Sequence, residues 1–499
     1  MKKTRKILAF SSILAILAMM LLIAASCDQN EASIDNDVRP VTETETPVVE
    51  TEEYDEEPIG RWTRIDPNLP ERDFDGYEFN ILSWYVGIWG GIGGNDGTDI
   101  WVEELTGEAL NDAVWHRNNT IEEQYNIRIN KIRMDINAIN NAIRNTVAAG
   151  DNAYDVVYQR LADYSSLITG GLLVNLHSIP YLNFDQPWWD SRSISNLSIA
   201  GRAFVAASDI ITTDKNTVSC VLFNKQFAQD FAFDDLYDVV RRGEWTIDYM
   251  TGISRGLAMN LDGSGVLGVN CFIPIVGEDL TTMILFAGAG SSFASHDAEG
   301  IPYSSFFSER NLLVMDTILD MMYDSELYMN WNMDAFENNR AIFLIRHLRE
   351  VINLRAFETD FGVLPVPKFD ASQENHYSMI NIHHAGLLSV PLTAPDLERT
   401  GILLEALSAE SRFTVMPAYY DLALVGRFLR DDESEEMLDI IFDTRVYDLG
   451  DLFGFGGFPY QILRIYRTRG RDIASMYERA QNVIQRDIER LVDRILDID

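Results

Sequence analysis

Two pairs of adjacent side chains in the sequence are of a kind that binds metal ions. Tyr419-Tyr420 supplies two phenols and His383-His384 supplies two imidazoles, and ferric and borderline ions accept both groups. Neither pair has a carboxylate at a readable spacing, and the tyrosines lie in a segment with helical apolar spacing. We therefore favour packing over a ferric site. The Cys and His spacings predict no zinc site.

Enzyme chemistry has little support in the sequence. A glycoside hydrolase needs two carboxyl groups across a cleft, roughly 5 to 9.5 Å apart, but 77 acidic residues make some such pair inevitable. The sequence has no Gly-x-Ser-x-Gly elbow. The glycine-rich segment 87–95 has no Lys-Ser/Thr after it and fits neither nucleotide-binding fingerprint. We expect no enzyme and no cofactor, with a two-carboxylate hydrolase as the alternative.

Composition limits the classes of partner. The 499 residues include 40 basic and 77 acidic side chains, which give a formal net charge of −37 at pH 7. A nucleic-acid partner is excluded because phosphate binding needs a basic surface. The hydrophobic content of 46% indicates a large core, and the length exceeds one typical core, so we expect two lobes. Cys220 and Cys271 either form one disulfide or remain buried thiols.

The N-terminus has the order of a secretory signal. Four basic residues lie within the first six, an apolar run covers 7–25, and small residues precede Cys27. Ala24-Ala25-Ser26-Cys27 resembles the lipobox of bacterial lipoproteins, which implies that 1–27 form a lipoprotein signal and that Cys27 is acylated. An uncleaved membrane helix is the alternative. Residues 28–75 are acidic and lack apolar periodicity, which predicts a disordered tether.

The body of the chain begins with a repeated order of strands and helices. Alternating or apolar runs predict strands, and helical apolar spacing predicts the helices between them. The predicted strands are 77–84, 127–132, 154–158, 203–208, 218–223, 362–367 and 387–391, and the predicted helices include 110–125, 136–147 and the amphipathic 471–499. The opening strand–helix order is typical of a parallel α/β lobe with right-handed crossovers. The last helix is expected to lie on a lobe.

Several segments together resemble the extracellular solute-binding lipoproteins of bacterial ABC importers, in the carbohydrate-binding group related to maltose-binding protein. The segments are LNDAVWHRN at 110–118 with EEQYN at 122–126, AYDVV at 153–157, FNK at 223–225, GEWT at 243–246, DFGVLPVP at 360–367 and LERTG at 397–401. Each motif alone is weak evidence for the family. Their order and spacing over residues 77–450 make the resemblance specific.

The resemblance implies an α/β, two-lobed periplasmic-binding-protein-like fold of type II, with discontinuous lobes, hinge crossings and a central cleft. The implied ranges are 77–208 plus 380–428 for the first lobe, 212–375 plus 430–499 for the second, and crossings near 208–213 and 375–383. In this family the ligand contacts both lobes and favours their closure.

A sugar site needs flat aromatic rings for the C–H faces and planar polar side chains for the hydroxyl groups. Loop ends near the implied cleft supply both aromatic rings and planar polar side chains. The candidate ligand-binding residues are Trp84, Tyr85, Tyr158, Gln159, Asp163, Asn216, Arg346, His347, His383 and Phe453. For each of them the alternative is packing in the core or on the surface, and for Trp188-Trp189 packing is favoured. Arg346 and His347 stand where the family places a cleft aromatic, a departure from its pattern.

Taken together, these patterns predict a monomeric receptor, held at the extracytoplasmic face of the cell membrane by lipid on Cys27. It would capture a sugar or oligosaccharide and deliver it to the permease subunits of an ABC transporter. A receptor for a peptide or a ferric ion, and a secreted hydrolase, are the alternatives.

Overall fold

The computed structural model describes residues 61–87, 95–354, 360–420 and 432–498. The predicted signal, Cys27, most of the tether and most of the glycine-rich segment lie outside these ranges. Within the ranges, no helix is both long enough and apolar enough to span a bilayer.

Strands and helices alternate along the described chain. The strands are β1 (Tyr77–Tyr85), β2 (Ile127–Asp135), β3 (Val156–Arg160), β4 (Ser219–Asn224), β5 (Ile275–Gly277), β6 (Ala294–His296), β7 (Pro302–Ser304), β8 (Tyr328–Asn330), β9 (Phe343–His347), β10 (Phe361–Leu364), β11 (Ser378–Met379), β12 (Gly386–Ser389) and β13 (Arg445–Val446). The helices are α1 (Ala109–Tyr125), α2 (Ile139–Ala149), α3 (Ser165–Thr169), α4 (Ser191–Leu197), α5 (Thr213–Asn216), α6 (Lys225–Asp230), α7 (Leu236–Arg241), α8 (Ile247–Ser254), α9 (Thr281–Gly288), α10 (Glu309–Tyr323), α11 (Met333–Glu337), α12 (Arg349–Asn353), α13 (Leu397–Phe413), α14 (Val415–Tyr419), α15 (Asp432–Asp443), α16 (Leu449–Phe453), α17 (Phe458–Leu463), α18 (Ile465–Thr468) and α19 (Ile473–Leu496).

The first lobe is built on a sheet with the strand order β12-β3-β1-β2. β1 pairs in parallel with both β2 and β3, so that Leu82 lies opposite Ile132 on one side and Val157 on the other. β12 is antiparallel to β3. Helices α1 and α2 connect the parallel strands, which is the strand–helix order that the sequence predicts. Helix α13 packs on α1 and adds a late segment of the chain to this lobe.

The segment at 203–208 does not form the expected strand. It is extended chain that makes isolated bridges, Ala206 with Leu388 and Ser208 with Trp189. The neighbouring tryptophans pack in the core as expected, because the indole N–H groups of Trp188 and Trp189 both donate to the buried Glu405 at 3.0 and 2.8 Å. These bonds fix the segment before α4 to α13.

The second lobe is built on a sheet with the order β10-β4-β9-β5-β8. β5 is parallel to both β8 and β9, whereas β4 runs antiparallel to β9 and to β10. Val221 of β4 therefore lies between Ile345 and Leu364, and all three side chains are buried. Cys220 on the same strand and Cys271 are both buried free thiols, so the two cysteines form no disulfide.

Two crossing segments, 209–218 and 365–385, join the lobes. They meet at the antiparallel bridge between Val218 and Ile380, next to which the Asn381 N–H donates to the Thr217 carbonyl at 3.2 Å. The parallel pair of β11 and β13 lies alongside. Each lobe thus collects chain from both sides of the crossings, in agreement with the predicted fold class.

Charged side chains are buried where the chain crosses. The Lys215 ammonium group donates to the carbonyls of Ser208 and Ile211, both at 3.1 Å, and lies 3.4 Å from the carboxylates of Asp209 and Asp214. Burial raises the pKa of Asp214 to about 6. Buried charges are tolerated when paired and hydrogen-bonded, and this network meets that condition.

The folded body begins earlier than the sequence predicts. Arg64 donates two hydrogen bonds to Glu410 of α13, at 2.6 and 2.9 Å, and Trp62 packs under the Arg412 guanidinium. Arg61 pairs with Asp439 of α15, a helix that packs on β10 of the second lobe. The acidic tether therefore does not extend to residue 75, because residues 61–75 carry apolar and basic side chains that bind the acidic body.

Helix α19 closes the described chain and contacts both lobes. Its Tyr477 ring stacks against Phe306 in an aromatic cluster of the second lobe, at 5.9 Å between ring centroids. Near its C-terminus, Arg494 donates to the carbonyls of Thr169 and Gly170 in the first lobe, both at 3.3 Å. The helix is amphipathic as expected but is not confined to one lobe.

Candidate ligand-binding cleft

The carboxyl ends of the parallel strands carry the polar side chains of the candidate site. In open α/β sheets, ligands bind in the crevice outside these ends. In the second lobe, Glu278 follows β5, Trp331 follows β8, and His347 ends β9. In the first lobe, Tyr85 ends β1 and Arg160 ends β3.

Arg346 organises the wall of the second lobe. Its guanidinium group lies 3.3 Å from Glu278 and 3.4 Å from Glu350, and all three side chains are almost fully buried. His347 Nδ1 lies 3.6 Å from the other oxygen of Glu278. Burial, followed by the positive charge of Arg346, lowers the pKa of His347 well below its usual value, so this imidazole is neutral at pH 7.

The next turn of chain adds Arg349, at the start of α12. Burial lowers the pKa of its guanidinium, while the charges of Glu350 and Glu278 oppose that shift. No hydrogen bond or ion pair joins the Arg349 side chain to another described residue. It is therefore a cation of this wall that has no bonded partner among the described residues.

Trp331 is the exposed aromatic ring of this wall, and the sequence prediction missed it. The residue is 51% exposed and has a positive φ of 55°, an uncommon conformation for a large side chain. Its indole N–H donates to Asp279 at 3.2 Å, and the Asn330 amide donates to the same oxygen at 2.7 Å. These bonds hold the ring at the end of the sheet with its faces open.

The wall of the first lobe is formed by the end of β3 with the turn after it and by the crossing segment 365–385. Asp163 accepts two hydrogen bonds from Arg160, at 2.8 and 2.9 Å. The crossing segment adds His383, which is exposed, and His384, which is half-buried. Burial and then the charge of Arg349 lower the pKa of His384 to about 4. The charge of Arg349 thus acts on a histidine of the crossing segment, which places the start of α12 near that crossing.

Two predicted aromatic residues also lie on the first-lobe side. The Tyr85 ring is half-buried under the Arg133 guanidinium, 3.5 Å from the ring centre. Phe453 is half-buried and stacks on Phe455 at 5.7 Å, and its helix α16 packs against the turn Leu161–Asp163 that follows β3. Six of the ten predicted residues are placed at strand ends, in the following turn, on the crossing or in α16, and their part in binding stays a prediction: Tyr85, Asp163, Arg346, His347, His383 and Phe453.

The other four predicted residues are placed elsewhere, which corrects the prediction for this conformation. Trp84 and Tyr158 pack edge to face in the core, at 6.3 Å between ring centroids, and the Tyr158 hydroxyl is bonded to Thr213 of the crossing at 2.9 Å. Gln159 is buried and donates to Asn140 at 2.6 Å. β1 and β3 are central strands, and Trp84, Tyr158 and Gln159 are buried in them, whereas the last residues of the two strands, Tyr85 and Arg160, are half-buried.

Asn216 belongs to a different cavity. It accepts a hydrogen bond from Tyr419 at 3.0 Å, and Tyr419 lines a cavity of about 230 Å³ beside the crossings, together with Trp62 and Tyr420. The Tyr420 hydroxyl donates to Asp439 at 3.1 Å. The cavity shares no residue with the facing walls, and the adjacent tyrosines serve packing and hydrogen bonding there.

The depressed pKa of His384 predicts a pH dependence of stability. The unfolded chain binds a proton at this residue near pH 6.5 and the folded chain only near pH 4. The neutral histidine therefore favours folding fully above pH 6.5, and this contribution, at most about 3 kcal/mol, is lost as the pH falls towards 4.

We expect His384→Gln to flatten the fall in thermal midpoint between pH 6.5 and 4, relative to the unmodified chain. The exposed His177→Gln is the matched control. Identical acid profiles for the two variants would contradict the assignment.

The chain matches no protein-family model and no curated protein. Solved structures do resemble it. The cyclic alpha-maltosyl-1,6-maltose binding protein from Arthrobacter globiformis aligns with a TM-score of 0.55 and 12% identity, over 83% of this chain and 99% of that one. An ABC substrate-binding protein from Listeria monocytogenes in complex with cycloalternan gives a TM-score of 0.52 and 12% identity, over 83% and 99%.

A cyclo/maltodextrin-binding protein in complex with maltotetraose gives a TM-score of 0.52 and 12% identity, over 85% of this chain and 98% of that one. At such low identity the likeness concerns the fold. It confirms the predicted fold class and, at the level of fold, the resemblance stated from the motifs: this chain has the two-lobed α/β fold of the ABC solute-binding proteins.

Proposed function

We propose that this chain captures a sugar or oligosaccharide between its two lobes and delivers it to an ABC permease. The observation that carries the proposal is the exposed Trp331 ring at the carboxyl edge of the second sheet, beside buried planar polar groups that face the first lobe. The named binding partners of structures with the same fold, cycloalternan and maltotetraose, are carbohydrates.

The chemistry of the walls fits a carbohydrate. The open faces of Trp331 offer a flat apolar surface for the C–H groups of a pyranose ring. Arg160, Asp163 and the neutral His347 offer donors and acceptors in fixed directions for paired hydroxyl contacts. A flat ring on one lobe and hydrogen-bonding groups on both predict that the ligand is held across the cleft.

Closure of the lobes is part of this proposal. The two crossings meet at the bridge between Val218 and Ile380, and such a connection between two lobes has the geometry of a hinge. A ligand that contacts both walls stabilises the closed state by its added contacts. To change a 1:99 population of the closed state into 99:1, the ligand must prefer that state by about 5.5 kcal/mol.

Other functions have less support. Both carboxylates of the second-lobe wall, Glu278 and Glu350, are paired with Arg346, so neither is free to act across the cleft as a hydrolase acid. The structures with the same fold are binding proteins rather than enzymes. We therefore retain a binding function.

Removal of the exposed ring tests sugar capture. We expect Trp331→Ala to weaken the binding of a carbohydrate identified by a thermal-shift screen roughly 10- to 100-fold, because a central aromatic contact is lost. Isothermal titration calorimetry measures the change. Tyr460→Ala removes a ring of similar exposure, 59%, outside the cleft, and serves as the control. Equal affinities for the two variants would exclude Trp331 from the site.

The membrane attachment rests on the sequence of the N-terminus. We propose that lipid on Cys27 anchors the mature chain to the extracytoplasmic face of the membrane and that an acidic tether, 28–60, separates the body from it. Cys27→Ser removes the acylated atom, so we expect the variant to appear in the soluble fraction after cell fractionation. Firm membrane association of a processed Cys27→Ser chain would contradict the anchor.

A further inference from the structure

Three buried nitrogen atoms in the second-lobe wall lack hydrogen-bond partners among the described residues. They are Nε of Arg346, Nε2 of His347 and Nε of Arg349. The His347 side chain is only 7% exposed. Buried polar atoms are nearly always paired, because an unpaired one keeps the cost of its lost hydration. A cluster of three at the edge of a cleft indicates that a ligand supplies the missing partners.

The carboxylates of the cleft walls are already engaged. Glu278 and Glu350 both lie within 3.4 Å of Arg346, and Asp163 is bonded to Arg160 on the opposite wall. In the described part of the chain, no carboxylate lies within 4.0 Å of the Arg349 guanidinium. Two arginines, Arg346 and Arg349, and two glutamates thus balance in charge on this wall, but among the described residues both glutamates contact Arg346 and neither contacts Arg349 directly.

The orientation of His347 complements this cation. Its Nδ1 faces Glu278, so we assign the proton of the neutral ring to Nδ1. Nε2 is then a hydrogen-bond acceptor, suited to a hydroxyl group rather than to an anion. The wall therefore combines a site for a negative group with a site for a sugar hydroxyl.

We propose that the carbohydrate bound in this cleft is acidic, with a carboxylate or sulfate group held by Arg349 and the Nε of Arg346 and a hydroxyl group held by Nε2 of His347. This inference rests on the proposed capture of a sugar. A guanidinium group matches the two oxygens of such an anion with parallel N–H bonds. A neutral sugar would leave the Arg349 guanidinium without a directly bonded anion when the lobes close and exclude water.

The large negative charge of the whole chain does not prevent the binding of an acidic sugar. At physiological salt, charges separated by more than about 8 Å are largely screened, whereas a buried pair in contact is screened much less. The groups in direct contact with the ligand therefore decide the affinity.

Isothermal titration calorimetry of the full chain tests the proposal. The probes are oligosaccharides in matched sets of equal length: uronates, sulfated hexoses and the neutral hexoses, in gluco-, galacto- and manno-configurations. We expect at least one acidic oligosaccharide to bind roughly tenfold or more tightly than its neutral counterpart. Comparing carboxylated with sulfated probes identifies the anionic group, and tighter binding of either supports the proposal.

Variants at Arg349 separate a role in anion binding from a role in structure. We expect Arg349→Gln to weaken the binding of the acidic probe about 10- to 100-fold and to leave the neutral counterpart within about threefold, and Arg349→Lys to retain part of the preference. Arg255→Gln removes an exposed second-lobe arginine, 67% exposed and distant in sequence from the site, and should change neither affinity.

The outcomes distinguish this inference from the function on which it rests. A neutral oligosaccharide that binds as tightly as its acidic counterparts, or an Arg349→Gln variant that weakens both equally, would overturn the acidic ligand and leave sugar capture standing. Failure of every oligosaccharide, neutral and acidic, to bind a folded chain would overturn the proposed function and this inference together.

Discussion

The structure depends on a set of buried charges that fixes the chain where it passes between the lobes. Arg445 of β13 lies 3.2 Å from Asp190 and 3.9 Å from Asp214, and Asp214 lies 3.4 Å from Lys215. The Tyr447 hydroxyl completes the set by donating to Asp190 at 2.9 Å. Removing one partner of a buried ion pair typically costs about 3–5 kcal/mol. The buried ion pairs therefore hold the crossing 209–218 in one arrangement.

This constraint also determines the chemistry of the cleft. The same crossing that carries Lys215 leads into β4, whose first residue, Ser219, pairs with His347 at the end of β9. The returning crossing places His384 opposite Arg349. Groups from the second lobe and from the crossing thus lie close together.

The sequence was sufficient to predict the layout of the first lobe, because β1, α1, β2, α2 and β3 each show a clear hydrophobic period. Arg346 and His347 were selected from the family resemblance, and the strand β9 that ends at His347 was not predicted. The sequence did not separate Tyr85 from Trp84, since both lie at the end of β1 and only packing decides which of the two rings is buried. Periodicity gives no such information.

Trp331 and Arg349 were missed for other reasons. The strand before Trp331 has three residues, too few to show a period, although the flanking Asn330 and Asn332 mark a polar loop end. Arg349 was hidden by its neighbours in a charged run, and only its lack of partners in the structure distinguishes it. The start of the folded body at Arg61 was not predicted, because residues 61–75 follow an acidic segment and show no apolar periodicity of their own.

The central claim is that two lobes close on a carbohydrate held between them. Small-angle X-ray scattering of the chain, with and without a carbohydrate that calorimetry shows to be saturating, tests it most directly. The account predicts a smaller radius of gyration in the saturated protein. An unchanged radius of gyration with the ligand bound would contradict it.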